Sequence, residues 1–219
     1  MSLSKVAIAA LGLALASSHA SAFSIDNAGD SLNFSWYYGG GGYNLTGAGV
    51  ITATALSSGS LTLQISLTNN TLAASANNAR LTAFGLGIDP DATGVTFGDA
   101  SDGGMINASL DGIPSLKTIE VCAFGGPNCS GGGNGGIFAN GASDTFSLVI
   151  TGAFANGATI DPLGYKYQTN YGSFEFSCST TSVTGECGGG RTVPEPGSLE
   201  LLGAIAAAAY PTIRRRRPR

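Results

Sequence analysis

The chain has 219 residues, of which 43% are hydrophobic, 11% are charged and 34 are glycine. Its net charge is −4, and within residues 23–192 twelve acidic and four basic residues give −8. This sparse, acidic charge argues against nucleic-acid binding, which needs a basic surface, and against docking of this region on anionic lipid. The single histidine, His19, falls in a segment expected to be removed, which excludes histidine-dependent catalysis and imidazole metal ligands from the remainder.

Residues 1–22 have the pattern of a secretory signal peptide. Lys5 precedes an eleven-residue apolar stretch, and Ala20 and Ala22 fit the small-residue pattern before a signal peptidase site. The apolar stretch is short for a membrane-spanning helix, which needs about 20 residues. We therefore expect a signal helix that is cleaved before Phe23, and export of the rest of the chain.

Residues 23–192 are long enough for one domain with its own core, and their pattern predicts strands. Leu61–Thr68 alternates apolar and polar residues without interruption, as a half-buried strand does, and Thr145–Thr151 nearly does so. Turn residues separate the candidate strands, among them Asp161-Pro162. The pattern predicts an all-β single domain, a β-sandwich or jelly-roll-like fold. The other predicted strands are Ser31–Tyr38, Gly47–Leu56, Leu81–Ile88, Leu116–Phe124, Gly164–Thr169 and Gly172–Cys178.

An aromatic cluster lies beside the glycine run 39–42. Trp36, Tyr38 and Tyr43 would form a sugar-stacking surface if their rings were exposed. The alternative, which we favour, is a strand whose Trp36 and Tyr38 point into the core. Exposure of the rings distinguishes the two interpretations.

Four aspartates, Asp89, Asp91, Asp99 and Asp102, lie close together in sequence. Carboxylate oxygens suit Ca²⁺ outside the cell, which makes a calcium site one interpretation. An EF-hand loop that begins at Asp89 would place Ala100 at the position of its bidentate glutamate, so that motif is absent. Turn chemistry, in which Asp accepts local backbone hydrogen bonds, is the favoured alternative, and we expect no cofactor.

Three glutamates, Glu120, Glu175 and Glu186, bear on a possible hydrolase. Glycoside hydrolysis needs two facing carboxylates, and nothing in the local sequence marks such a pair. We expect a protein without enzymatic activity and keep a carboxylate-dependent hydrolase as a minor alternative.

The four cysteines are Cys122, Cys129, Cys178 and Cys187. An even number in an exported chain indicates disulfides, and four cysteines allow three pairings. We favour Cys122 with Cys129 and Cys178 with Cys187, because each pair brackets a glycine-rich loop. A metal site is less favoured, since neither spacing is C-x-x-C and no histidine can assist.

The last 27 residues, 193–219, differ in character from the rest. A proline-bracketed glutamate is followed by the apolar segment Leu199–Ile213, which at 1.5 Å per residue would span about 22 Å. That length is short for a permanent membrane anchor, so we favour a segment that halts export only transiently, before the tail is cleaved. Arginines keep the end on the cytoplasmic side. The motif residues are Val193, Pro194, Glu195, Pro196 and Gly197, and the terminal arginines are Arg214, Arg215, Arg216, Arg217 and Arg219.

This tail resembles the PEP-CTERM sorting signal of Gram-negative, often biofilm-forming, bacteria. The resemblance is carried by Pro194-Glu195-Pro196, the apolar segment and the basic end, and it covers about 27 residues. It implies recognition by an exosortase, a membrane peptidase that cleaves near this motif. The body also resembles the "cistern" subgroup in Arg80–Gly85, Asp89–Asp91 and Val121–Gly133, a likeness that implies no activity.

These features together predict an exported protein of the cell surface, outer membrane or extracellular matrix. The expected partners are an exosortase-like peptidase, exopolysaccharide and, through the tail, the inner membrane during sorting. The alternative role is that of a carbohydrate-binding module.

Overall fold

A computed structural model describes residues 22–40, 43–73, 78–99 and 103–180, together with the backbone of 191–193. These residues form two antiparallel β-sheets and contain no helix, which confirms the predicted all-β sandwich. The predicted signal helix lies outside the described residues, and so does the apolar segment Leu199–Ile213, which is expected to form a short C-terminal hydrophobic helix. The strands are β1 Phe23–Ile25, β2 Ser31–Gly40, β3 Tyr43–Leu56, β4 Ser60–Asn69, β5 Arg80–Asp89, β6 Ala92–Gly98, β7 Asn107–Ser109, β8 Val121–Phe124, β9 Ile137–Phe138, β10 Ala142–Gly152, β11 Ala158–Thr169, β12 Gly172–Cys178 and β13 Arg191–Val193.

The five-stranded sheet has the order β2-β3-β4-β10-β6. Its central strand β4 carries the most regular alternation in the sequence, and its leucines and Ile65 are fully buried. Across the pairing with β10, Leu63 lies opposite Leu148 and Ile65 opposite Phe146. The period of two therefore places the leucines, isoleucines and phenylalanine of this strand pair on the inner face, and Val149 of β10 is the exception on the outer face.

The eight-stranded sheet has the order β13-β12-β11-β5-β8-β7, with β1 added to β11 and β9 added to β5. β11 holds the sheet together, because it pairs with β1, β5 and β12 along its length. Its inward side chains Tyr165 and Tyr167 are fully buried, as are Phe174 and Phe176 of β12. Aromatic rings therefore supply much of the apolar area buried between the two sheets.

The core contains a polar contact that joins the two sheets. The Trp36 indole N–H donates to the Tyr167 hydroxyl at 3.0 Å, and that hydroxyl lies 3.2 Å from Asn69 Oδ1. Burial raises the pKa of Tyr167, an effect that the Trp36 hydrogen bond partly offsets. The hydroxyl therefore stays protonated in the folded protein and remains a donor to its neighbours.

A third layer covers the outer face of the eight-stranded sheet. The loop segments between β6 and β9 fold back over it, and their Ile113 and Ile119 form a small apolar cluster with Phe124 of β8. Gly85 of β5 and Gly164 of β11 face this layer, where an added Cβ would collide with Ile119. Small residues on the sheet therefore allow the covering segment to approach closely.

The structure corrects two details of the predicted strands. Leu116–Phe124 is a strand only from Val121, because Leu116 and Ile119 turn down into the apolar cluster of the third layer. Asp161-Pro162 is not a turn but lies inside β11, at a shift in register between Ile160 and Leu163 where no ladder hydrogen bond from proline is needed. The sequence interpretation also missed the short or half-exposed strands β1, β6, β7, β9 and β13.

Candidate functional site

The predicted signal cleavage site lies directly before the first strand. Phe23 begins β1 and pairs with Ile160, and its backbone N–H donates to Thr180 Oγ1 at 3.1 Å. Ala22 precedes the strand, and Ala20 lies outside the described residues. Cleavage before Phe23 would leave this strand complete, and the new terminal amine could still donate to Thr180.

The chain reaches the predicted sorting tail through an edge strand. β13 pairs antiparallel with β12, and Val193 lies opposite Ser173. Val193, which the sequence pattern assigns to the tail, is thus the last residue of a strand in the sheet. The rest of the tail lies outside the described residues, namely Pro194, Glu195, Pro196, Gly197, Arg214, Arg215, Arg216, Arg217 and Arg219.

The described residues contain no helix that is long and apolar enough to cross a membrane. The apolar segment Leu199–Ile213, predicted to halt export, is not among them.

Two of the predicted cysteines form a disulfide that links β8 to the segment that follows it. Cys122 and Cys129 are bonded to each other, as the local pairing predicts, and both are buried. Cys178 is also disulfide-bonded. Its expected partner Cys187 lies outside the described residues.

Replacing both Cys122 and Cys129 with alanine is expected to lower the free energy of unfolding by about 2–3 kcal/mol. The reason is that the disulfide restricts the unfolded chain, and without it the unfolded chain regains the entropy that closing a loop of this size removes. Urea denaturation of the oxidised protein measures the loss. The double replacement leaves no unpaired thiol at this site, which keeps thiol exchange out of the comparison. An unchanged urea midpoint would show that this bond does not stabilise the fold.

The predicted aromatic cluster belongs mainly to the core. Trp36 and Tyr38 are 2% and 8% exposed, and their rings pack against Tyr165 at 4.6 Å and Phe176 at 4.8 Å between ring centroids. The sugar-stacking interpretation is therefore wrong for these two rings. Tyr43 is half-buried and packs elsewhere, on an exposed tyrosine at the end of the sandwich.

The predicted calcium ligands that the structure describes do not all lie together. Asp89 ends β5 and Asp91 directly precedes β6, whereas Asp99 follows the far end of β6, roughly 25 Å away at the rise of a strand. Asp102 lies outside the described residues. Across the part of the chain that the structure describes, no group of three or more acidic, cysteine or histidine side chains could hold a metal ion.

Asp89 and Asp91 affect the pKa of the neighbouring carboxyl of Glu120. Partial burial raises the pKa of Glu120, and the negative charges of Asp91 and Asp89 raise it further, while a hydrogen bond from the Ala92 N–H opposes them. Its carboxylate accepts this bond at 3.5 Å.

Glu175 forms a buried ion pair that the sequence analysis did not find. Its carboxylate contacts the ammonium of Lys166 on the neighbouring strand, and the two residues are 1% and 3% exposed. The second carboxylate oxygen accepts a hydrogen bond from the Ser115 N–H at 2.9 Å. With both oxygens engaged beneath the third layer, Glu175 has a structural environment rather than that of an acid in an open cleft. Glu186 lies outside the described residues.

Uncharged side chains, most of them polar, cover the outer face of the five-stranded sheet, which we call the hydroxyl face. Hydroxyls meet across adjacent strands, with Ser66 2.9 Å from Thr145 and Thr68 2.8 Å from Ser143. None of its members is charged, so it presents donors and acceptors without a net field. They are Ser31, Asn33, Ser35, Tyr37, Thr46, Ala48, Val50, Thr52, Thr62, Gln64, Ser66, Thr68, Ser143, Thr145, Ser147, Val149 and Thr151.

Comparison with known protein families, with curated proteins and with solved structures finds no match to this chain.

Proposed function

We propose that this chain is an exported, non-enzymatic protein of the cell surface or extracellular matrix, sorted by cleavage of its C-terminal tail. Export would begin with removal of the signal before Phe23. The tail would then hold the folded body at the inner membrane until an exosortase-like peptidase cuts near Pro194-Glu195-Pro196.

The observation that carries the proposal is the position of β13. This edge strand ends at Val193, immediately before Pro194. Proline fixes φ and lacks an N–H donor, so the Pro-Glu-Pro sequence is poorly suited to continue the sheet ladder. A peptidase that reaches this motif would therefore find it next to the folded body but outside the strand pairing.

Two further features support an exported role. Disulfides persist in oxidising compartments, and Cys122, Cys129 and Cys178 are all disulfide-bonded. The hydroxyl face is uncharged and rich in groups that both donate and accept hydrogen bonds. Such a surface suits contact with hydrated exopolysaccharide, our proposed environment for the mature protein.

Replacement of Pro194 and Pro196 with alanine is expected to leave the protein uncleaved in the inner-membrane fraction, whereas the unchanged protein leaves that fraction. Cell fractionation followed by immunoblotting measures both location and size. Pro114→Ala with Pro127→Ala is the matched control, because these two exposed prolines lie in the third layer. If the variant at 194 and 196 matched the unchanged protein in location and size, the proposed role of the motif would be wrong.

A further inference from the structure

One end of the sandwich displays an unusual share of the exposed apolar surface. The described chain has six exposed large hydrophobic side chains, and three of them lie here. Leu72 follows β4, Phe138 ends β9 and Tyr171 lies between β11 and β12, with exposed fractions of 62%, 56% and 63%. The strand ends lie side by side, since β10 pairs with β4, and β5 pairs with β9 and β11. We call this region the Tyr171 end.

The ring of Tyr171 is held in place although most of it is exposed. It stacks on Tyr43 with 5.1 Å between centroids, and Tyr43 in turn packs edge-on against the core residue Phe174 at 5.4 Å. The Tyr171 N–H donates to Thr169 Oγ1 at 3.0 Å, which fixes the turn. The exposed ring is therefore positioned before any partner arrives.

Hydrogen bonds connect the loops that carry the three side chains. Asn78 Nδ2 donates to Asn170 Oδ1 at 3.1 Å, which joins the loop after β4 to the turn beside Tyr171. The Asn140 N–H donates to the Thr71 carbonyl at 2.9 Å, which joins that loop to the segment after Phe138. The apolar side chains thus project from one connected framework.

The chain leaves the sheet toward this end. β13 runs antiparallel to β12, so that Arg191 lies opposite Glu175 and Val193 opposite Ser173, next to the turn that holds Tyr171. Five residues separate Val193 from Leu199, where the apolar segment begins. Even fully extended, the six residue steps from Val193 to Leu199 span at most about 22 Å. An apolar segment inserted in a membrane would therefore keep the Tyr171 end close to the membrane surface.

The distribution of charged residues also favours an orientation in which the Tyr171 end faces the membrane. Five aspartates lie at the opposite end, roughly 30 Å away along ten-residue strands, where Asp26 and Asp89 share one surface depression. At the Tyr171 end, the guanidinium of Arg80 lies 5.8 Å from the centre of the Phe138 ring. The acidic end would thus point away from lipid phosphates, and a cationic group would point toward them. The acidic five are Asp26, Asp30, Asp89, Asp91 and Asp161.

We propose that the Tyr171 end docks on the lipid headgroup region of the membrane while the tail is uncleaved. Tyr171, Phe138 and Leu72 enter the interface, where aromatic side chains are favoured, and Arg80 faces the phosphates. Docking gives the folded body one orientation beside the membrane until the tail is cut. The inference rests on the proposed sorting function, because it needs the tail to be in the membrane.

The test uses unprocessed protein isolated from cells that lack the exosortase-like peptidase, reconstituted into phosphatidylcholine vesicles with brominated acyl chains. Tyr171→Trp reports on the docking end and Asp30→Trp on the opposite end. Native Trp36 is 2% exposed and gives a constant background. We expect the bromolipid to remove most of the fluorescence added at position 171 and to leave that added at position 30 unchanged. Equal quenching at the two positions would overturn the proposal.

Two matched triple variants assign the effect to the apolar side chains, with Asn70→Trp as the reporter in both, because Asn70 is exposed and directly follows β4 at this end. Quenching is expected to be lost when the three apolar side chains of the Tyr171 end are truncated, and retained when three others are. The first variant carries Leu72→Ala, Phe138→Ala and Tyr171→Ala, and the second carries Ile106→Ala, Leu110→Ala and Val149→Ala. Retention in both would overturn the assignment.

The outcomes separate this inference from the function on which it rests. If the unprocessed protein failed to float with the vesicles, the membrane role of the tail would be wrong, and docking with it. If it floated without quenching of Tyr171→Trp, only docking would be overturned. A third outcome would identify a glycan-binding surface instead. In that case Tyr171→Trp shows no lipid quenching, the unchanged protein is retained on a neutral dextran gel, and the triple variant at Leu72, Phe138 and Tyr171 is not.

Discussion

The Lys166→Met variant is expected to lose about 3–5 kcal/mol of unfolding free energy. The replacement keeps the length of the side chain but leaves the carboxylate of Glu175 buried without its cation, at 1% exposure beneath the third layer. An uncompensated buried charge carries a penalty of this size. Urea denaturation followed by far-ultraviolet circular dichroism measures the change, since urea does not screen charges as a salt would.

The double variant Lys166→Met with Glu175→Leu serves as the control for the ion pair. Both charges are then absent, and apolar replacements of buried ion pairs are often neutral or stabilising. The Ser115 N–H loses its acceptor but belongs to an exposed residue. The double variant should therefore recover most of the loss. If Lys166→Met alone unfolded at the same urea concentration as the unchanged protein, the pair would not be buried as described.

Trp36→Ala is expected to lose about 3–5 kcal/mol, the usual range for removing a large aromatic side chain from a core. The indole is 2% exposed, packs on Tyr165 and donates to the Tyr167 hydroxyl, so its loss leaves both a cavity and an altered polar contact. Tyr37→Ala is the matched control, because Tyr37 is the next residue on the same strand but lies on the hydroxyl face. Its loss should be much smaller.

Gly47 provides an independent check on the packing of Trp36. An added Cβ at Gly47 would overlap the indole ring, so Gly47→Ala is expected to destabilise the protein by about 1–3 kcal/mol. In the Trp36→Ala background the clash partner is gone, and the same replacement should have little effect. Additive losses in this double-mutant cycle would contradict the contact.

The sequence was most informative where local patterns decide the structure. The alternation in Leu61–Thr68 predicted β4, and the pattern of Gly172–Cys178 predicted β12 with its observed bounds. β6 was missed because Val95 and Phe97 are only partly buried and lie among threonines and glycines. A half-exposed edge strand gives a weak periodic signal, since burial of one face is what produces it.

The buried ion pair and the Tyr171 end were less predictable because they depend on contacts between distant segments. Lys166 and Glu175 are directly opposite across the β11–β12 turn, a register that the pattern could have suggested. Their burial, however, requires the third layer, which arrives from a separate part of the chain. Exposure of Tyr171 likewise follows from how the turns assemble at the end of the sandwich, and no local motif marks it.

The central claim is that the tail is a processing signal. Intact-mass measurement of the protein from cells with and without the exosortase-like peptidase tests it most directly. We expect a chain that begins at Phe23 in both, with a C-terminus between Val193 and Gly197 when the peptidase is present and at Arg219 when it is absent. A mass that includes Arg219 in both cell types would contradict the account.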